Sequence, residues 1–239
     1  MNAVRVLELL VDYPEGLGIS EVAQHLEMDA AQAHRLANGL RAAQYISKTT
    51  SRPPRYVVTS KVLSLAARML DRTDLLRASR PVMLRLRDDS GETVHLAAIS
   101  EDRPVCVARE LSHKRLSVLT RLGDVWPRRE TAMGWVALAF GPPEEEEQKL
   151  DDDLRCRIEE ARRKGYAVDR EVYVKSVVGV AAPVFDFHRQ LVGALAVAGP
   201  SDRVPDDDLE PLAKLVLEGA KEISGSLGCG AIDALYHPA

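Results

Sequence analysis

Residues 19–56 constrain the fold more than any other stretch of this chain. Two short helical repeats with a two-residue break between them run directly into a basic hairpin stiffened by Pro53 and Pro54. Ile19, Val22, Ala23 and Leu26 recur at helical spacing, with Ser20 placed to cap and Glu21 favourable at the positive helix end. Glu27 and Met28 make the break. Asp29 opens a second helix, Gln32 completes a capping-box-like start, and Ala33, Leu36, Ala37 and Leu40 form its buried stripe. Gln32, His34, Arg35, Asn38 and Arg41 remain on the opposite face. Residues 45–47 and 55–58 read as two short strands, and the hairpin carries Lys48, Arg52 and Arg55. Helix, helix and hairpin in this order predict a winged helix-turn-helix. A polar second helix suits the major groove of duplex DNA, and a cationic wing suits its phosphates. The same residues also suit a small helical domain whose basic face is merely solvated.

Charge sharpens the choice. Residues 28–61 hold six bases and one acid, a net +5 on a chain whose total is −4, so the remainder sums to −9. A basic island on an acidic protein is a better nucleic-acid signal than the overall isoelectric point of about 5.9, which taken alone argues against one.

The 239 residues allow one large domain or two modest ones, and with only 5% aromatics the core must be built from Val, Leu and Ala. Cys106, Cys156 and Cys229 are isolated, so neither a disulfide framework nor a zinc site is expected. Glu8 interrupts the early apolar run, which argues against a signal peptide, and runs such as 133–140 are too short to span a bilayer. A cytoplasmic protein with no membrane partner is the simplest expectation. The six histidines are scattered, and there is no HExxH, GxSxG or P-loop. Gly16-Leu17-Gly18 lacks the third glycine of a dinucleotide turn. His95, in a predicted strand, reads as a satisfied core histidine. Residues 144–147 and 206–208 read as solvated helix starts, so no metal or cofactor is expected.

Around this core the period predicts a first helix over 3–11 with Val4, Leu7 and Leu10 inward, and a linking helix over 61–70 with Val62, Leu65, Ala66 and Met69 apolar. A boundary near 71–73 precedes a helix over 75–88. Strands follow at 93–99 and 105–110, joined at 100–103, with a possible third at 116–119. Helices are predicted over 131–140, ended by Gly141-Pro142-Pro143, from 144, and over 151–164. A strand pair at 177–185 and 191–198 and a last helix over 206–227 complete an α+β, sensor-like second half. The domain expectation is therefore 1–60, a linker helix at 61–72, and 73–239.

Read as a whole, the chain resembles the IclR family of bacterial transcription regulators. The matching segments are Arg5-Val6-Leu7-Glu8-Leu9-Leu10, residues 16–23 (GLGISEVA), His34-Arg35-Leu36, Gly91-Glu92-Thr93-Val94-His95-Leu96, Gly165-Tyr166-Ala167-Val168-Asp169, residues 180–186 (VAAPVFD) and Gly199-Pro200. The resemblance implies a winged helix-turn-helix, a linker helix and a GAF-like α/β domain that binds a small effector. It also implies dimers through the DNA-binding half, often paired into tetramers, and a double-stranded operator as partner. Relatives that bind small oxyacids carry an acid after Gly-Tyr-Ala, a cysteine before the Val-Ala-Ala-Pro run and two alternating serines before Gly-Pro. Here Asp169 matches the acid, but Gly179, Ala196 and Ala198 replace the rest. Leu119, Gly123, Arg129, Met133 and Trp135 complete the pocket that the resemblance implies. It should be larger and less polar, suited to a bulkier organic acid or derivative, an aromatic one among them. Arg129 would pair the carboxylate and Trp135 pack on the ring, unless Arg129 is simply surface and Trp135 core. On the reading helix, Ala30 and Ala31 replace a usual lysine and serine, which shifts the load to Arg35, Arg41 and the wing. The function expected is a ligand-responsive, sequence-specific DNA-binding regulator and not an enzyme. The alternatives are a sensor acting through protein association, and a hydrolase using the second-domain cleft.

Overall fold

The computed structural model describes residues 2–71, 74–100, 103–142, 150–230 and 233–236. The chain divides into two compact units, Met1–Thr73 and Asp74–Ala239.

In the first unit, α1 (Asn2–Val11), α2 (Ile19–His25) and α3 (Ala30–Ala42) precede a hairpin of β1 (Ile46–Lys48) and β2 (Tyr56–Val58), and α4 (Ser60–Asp71) follows. Val6, Leu10, Leu17, Val22, Ala33, Ala37, Ile46 and Tyr56 make the core. Two local expectations are corrected. Ser20 does not cap α2: the helix starts at Ile19, Gly18 occupies the cap two residues earlier, and the Glu21 carboxylate accepts from the Gly18 N–H at 2.6 Å. Val4 does not face inward on α1; it is 59% exposed, and Val6 takes the inner position with Leu10. The cap of α3 matches expectation, the Asp29 carboxylate accepting from Gln32 N–H at 2.7 Å. Gly16 (φ +77°) lets the turn after α1 pass against the wing, where a Cβ would lie 2.5 Å from the Tyr56 carbonyl oxygen. Leu17 and Tyr56 exchange backbone hydrogen bonds there, so the wing is braced at its base.

The second unit holds α5 (Leu75–Ser90), β3 (Thr93–Ser100), β4 (Arg103–Glu110), α6 (Ala132–Phe140), α7 (Asp152–Lys164), β5 (Ala167–Arg170), β6 (Val177–Phe185), β7 (Leu191–Pro200), α8 (Asp206–Ser226) and α9 (Asp233–Tyr236). The sheet order is β4-β3-β7-β6-β5, with every neighbour antiparallel. Helices α5 and α8 pack on one face, α6 and α7 on the other, the layered α/β arrangement expected.

Alternation along the central strands makes the two faces unequal. Val94, Leu96, Val178, Val180, Leu195 and Val197 point into the core beneath α5 and α8. Ala97, Ala167, Ala181, Ala194 and Ala196 face α6 and α7. Small side chains leave space on that second face. The segment 116–119, expected as a possible strand, is not one; Val125 makes the only bridge to the β4 edge there among the described residues, opposite Val105. Strand β5 was not anticipated. The expected helix from 144, Pro143 and the 101–102 turn lie outside the described residues.

Candidate nucleic-acid interface and ligand cavity

The burial of Ala33, Ala37 and Leu40 turns the opposite face of α3 to solvent. Arg35 and Arg41 are exposed there and make no ion pair among the described residues. His34 is exposed, while Gln32 and Asn38 are half-buried at its flanks. The Asn38 amide lies 3.0 Å from His34 Nδ1, a contact that holds the two side chains together on this face. Lys48 and Arg52 are exposed on the wing, Lys48 lying 5.2 Å from the centre of the Tyr56 ring.

Arg55 is a correction. Its Nε donates to the Gly16 carbonyl at 2.8 Å and its Nη2 lies 3.0 Å from the Glu21 carboxylate, so this guanidinium braces the wing base against α2. A carboxylate that caps a helix and faces Arg55 is held below its usual range, first by the Gly18 N–H and then by the arginine. The spacing of Glu21 and Arg55 in the sequence gives no sign of this pairing across 34 positions.

On the Ala/Gly face of the second unit lies a cavity of about 860 Å³, within the size range of small-molecule sites. Cross-strand register lays out its floor. Thr93, Ala198, Gly179 and Asp169 form one row across four strands, and His95 and Ala196 belong to the next. Of the residues selected from the sequence, Leu119, Met133, Asp169, Gly179, Ala196 and Ala198 line it. A Cβ at Gly179 would meet nothing nearer than the Asp169 Cβ at 4.0 Å, so that position opens into space.

Gly123, Arg129 and Trp135 do not line the cavity, and each has a physical reason. Gly123 sits in an exposed turn with φ +89°, its N–H donating to the Cys106 carbonyl. Trp135 is 1% exposed among the helices: its indole donates to the Arg129 carbonyl at 2.9 Å and Arg157 stands 4.7 Å from its ring. Arg129 is exposed and contributes that backbone carbonyl to the core rather than a guanidinium to a ligand. The turn before α6 can approach this closely because residue 134 is glycine; a Cβ there would fall 2.4 Å from the Arg128 carbonyl oxygen.

Asp169 closes one end. Its Oδ1 accepts from Val172 and Tyr173 N–H at 2.9 and 3.4 Å, shaping the loop that carries Tyr173, Val174, Lys175 and Ser176 along the cavity. Burial raises its pKa, and the backbone donors only partly offset this. The rim is pinned elsewhere. Glu92, only 3% exposed, takes paired 2.6 Å bonds from Arg203 and a 2.9 Å bond from Lys114. Burial pushes its carboxyl up, yet the bonds from Arg203 and Lys114 outweigh that and hold it below the usual range. Arg203 also donates to the Leu116 carbonyl at 2.9 Å, and Arg109 donates to that of Thr120.

Sequence reasoning missed His95, Trp126 and Lys175 as cavity residues. The signal for His95 was available in the strand alternation, since Thr93, His95 and Ala97 share a face apart from Val94 and Leu96. Expected as a satisfied core residue, His95 is 2% exposed, but its Nε2 has no hydrogen-bond partner among the described residues. Burial, aided by the Arg109 charge, pushes its pKa down to about 4. Cys106 is buried too, and burial pushes its thiol up to about 11, away from nucleophile chemistry at neutral pH. Among the described residues no cluster of three or more His, Cys, Asp or Glu is placed to hold a metal, and no helix is long and apolar enough to cross a membrane.

Comparison with known proteins joins the two regions. Residues 1–49 match the IclR helix-turn-helix domain, and residues 67–225 match the C-terminal domain of bacterial transcriptional regulator IclR. The chain is 26% identical to the HTH-type transcriptional regulator KdgR of Escherichia coli, covering 89% of this chain and 86% of that protein. An IclR transcriptional regulator structure from Silicibacter superposes over 100% of both chains with a TM-score of 0.78 and 25% identity. An IclR homologue from Microbacterium hydrocarbonoxydans, solved in complex with 4-hydroxybenzoate, shares the fold at TM-score 0.78 and 23% identity, covering 94% of this chain and 97% of that one. This chain belongs to the IclR family. It is accordingly a DNA-binding transcription regulator with a helix-turn-helix domain followed by an effector domain.

Proposed function

We propose that α3 and the wing read and grip an operator, with Arg35, Arg41, His34 and Asn38 toward base edges and Lys48 and Arg52 toward phosphates. The observation that carries this is the unpaired cationic face of α3, held outward by the burial of its alanine stripe. Arg55 serves the same surface indirectly, by bracing the wing. Self-association would place two such surfaces on half-sites about 34 Å apart, one helical turn. Val4 and Val11 on α1, 59% and 57% exposed, and Leu63 and Leu65 on α4, 69% and 45% exposed, supply an apolar surface for a dimer, which can pair further into a tetramer.

The cavity of the second unit is the proposed effector site. Its alanine and glycine floor favours an organic acid with a flat apolar body, and the ligand named for the Microbacterium homologue is of that kind. The carboxylate partner is then Lys175, the cation on the cavity wall, in place of Arg129. An effector that favours one arrangement of the two operator-binding domains by about 1–3 kcal/mol would change operator affinity roughly 5- to 150-fold. The buried thiol of Cys106, pushed up to about 11 by burial, is no nucleophile at neutral pH and favours a binding role over hydrolysis, and a cytoplasmic location fits a DNA partner.

Mobility-shift titration at two salt concentrations, with and without candidate acids, tests the reading. A regulator retains sequence preference beyond the steep salt dependence common to all DNA binding. Equal affinity for operator and random DNA, or no shift at either salt, would put the protein-association reading in its place.

A further inference from the structure

His95 stands opposite Ala196 on β7 and opposite Arg109 on β4, on the small-residue face of the sheet and against the cavity. Trp126 meets its ring edge-on at 5.8 Å. The polar groups around it are otherwise engaged. Thr131 accepts from Gly134 N–H and donates to the Pro127 carbonyl, and Arg109 is turned to the Thr120 carbonyl. A deeply buried ring nitrogen without a partner is rarely kept in a protein interior unless something arrives to meet it.

We propose that His95 contacts the effector and selects for a hydroxyl group carried on an aromatic ring packed beside Trp126. This rests on the reading that the cavity is the effector site. An uncharged imidazole presents one donor and one acceptor, and a hydroxyl can answer either. A carboxylate only accepts, and it gains no charge pairing from a neutral ring. The charges on the cavity wall point the same way, with Asp124, Asp169 and Asp202 against Lys175. Strands β3 and β5 are three strand spacings apart, about 14 Å. A carboxylate held near Lys175, which follows β5, therefore leaves the other end of a ring to reach toward His95. Between them the floor is flat, made of Ala196, Ala198 and Gly179, as a ring face requires.

Two probes differing by one hydroxyl, 4-hydroxybenzoate and benzoate, test the proposal by calorimetric titration of the full chain. Wild type should prefer 4-hydroxybenzoate by about three- to tenfold, the value of one net hydrogen bond. His95→Phe, which keeps a planar ring and removes both nitrogens, should bind the two probes equally, and His95→Gln should recover part of the preference. Gly179→Leu, which would project a side chain into the open space over the floor where the ring lies, should weaken binding of both. A preference undiminished in His95→Phe, or no preference or no binding in wild type, overturns the proposal. Binding undisturbed by Gly179→Leu would instead overturn the cavity reading on which it rests. Nitrogen-15 spectra of histidine-labelled wild type need no folded variant. The His95 ring signals should move with 4-hydroxybenzoate and not with benzoate, and identical responses to both would count against the proposal.

Discussion

The two units dispose of their cations in opposite ways. In the helix-turn-helix unit, Arg35, Arg41 and Arg52 stay in solvent without carboxylate partners among the described residues, and of the wing arginines only Arg55 is drawn inward. In the effector unit, Arg203 and Lys114 converge on a buried Glu92, Arg170 pairs with Asp206, and Arg157 lies between Asp153 and the Trp135 ring. The residue types are the same and the supply of acids differs. A window with one carboxylate among six bases leaves most of its charge free to meet an outside anion. Where acids are plentiful, the same groups become struts. Cations left over mark a partner surface, and cations consumed mark construction.

The sharpest way to break this contrast is to remove a strut. Arg203→Ala would leave a 3%-exposed carboxylate with Lys114 alone and should cost about 3–5 kcal/mol in urea unfolding, because the penalty is that of a buried, half-compensated charge. Arg55→Ala, whose pair is 36% and 46% exposed, should cost clearly less through its ion pair, because solvent screens it. Comparable losses for the two would erase the distinction. His95 offers a test by pH. Between pH 6.5 and about 4 the unfolded chain takes up a proton that the folded ring does not, so stability falls as pH falls through that window. The full effect is about 3 kcal/mol at 1.36 kcal/mol per unit, and unfolding curves of His95→Gln should lack that component of the slope.

Smaller effects belong to the open surface. Arg35→Ala should weaken specific operator binding by about 1–3 kcal/mol and relax preference at one base position in a mobility-shift series. Arg52→Ala should weaken binding to all sequences alike and lower the salt slope by about one. Unchanged affinity in both variants would mean that the wrong face of this unit has been assigned to DNA.

Much of the fold was legible because its signals are local. Asp29 caps α3 as read, the alanine stripe is buried, and strands such as β6 show as short continuous apolar runs. The misreadings share a different origin. Val4 and Val6 on α1 are equally apolar, and only the position of the neighbouring helices decides which turns inward. Trp135 and Arg129 sit at ligand-facing positions of the resemblance, yet Gly134 lets the preceding turn close over the helix and draws the indole into the core. Arg55 looked like its neighbours until Glu21, distant in sequence, was placed beside it.

Sequence by itself determined most of the order of elements, the helix-turn-helix with its wing and the basic window, since periodicity, capping and charge count act over a few residues. Tertiary structure decided which polar groups are left unanswered. That depends on what burial brings within about 3 Å, a distance no spacing along the chain encodes. His95, plain in the sequence, acquires its meaning from one buried nitrogen without a hydrogen-bond partner among the described residues.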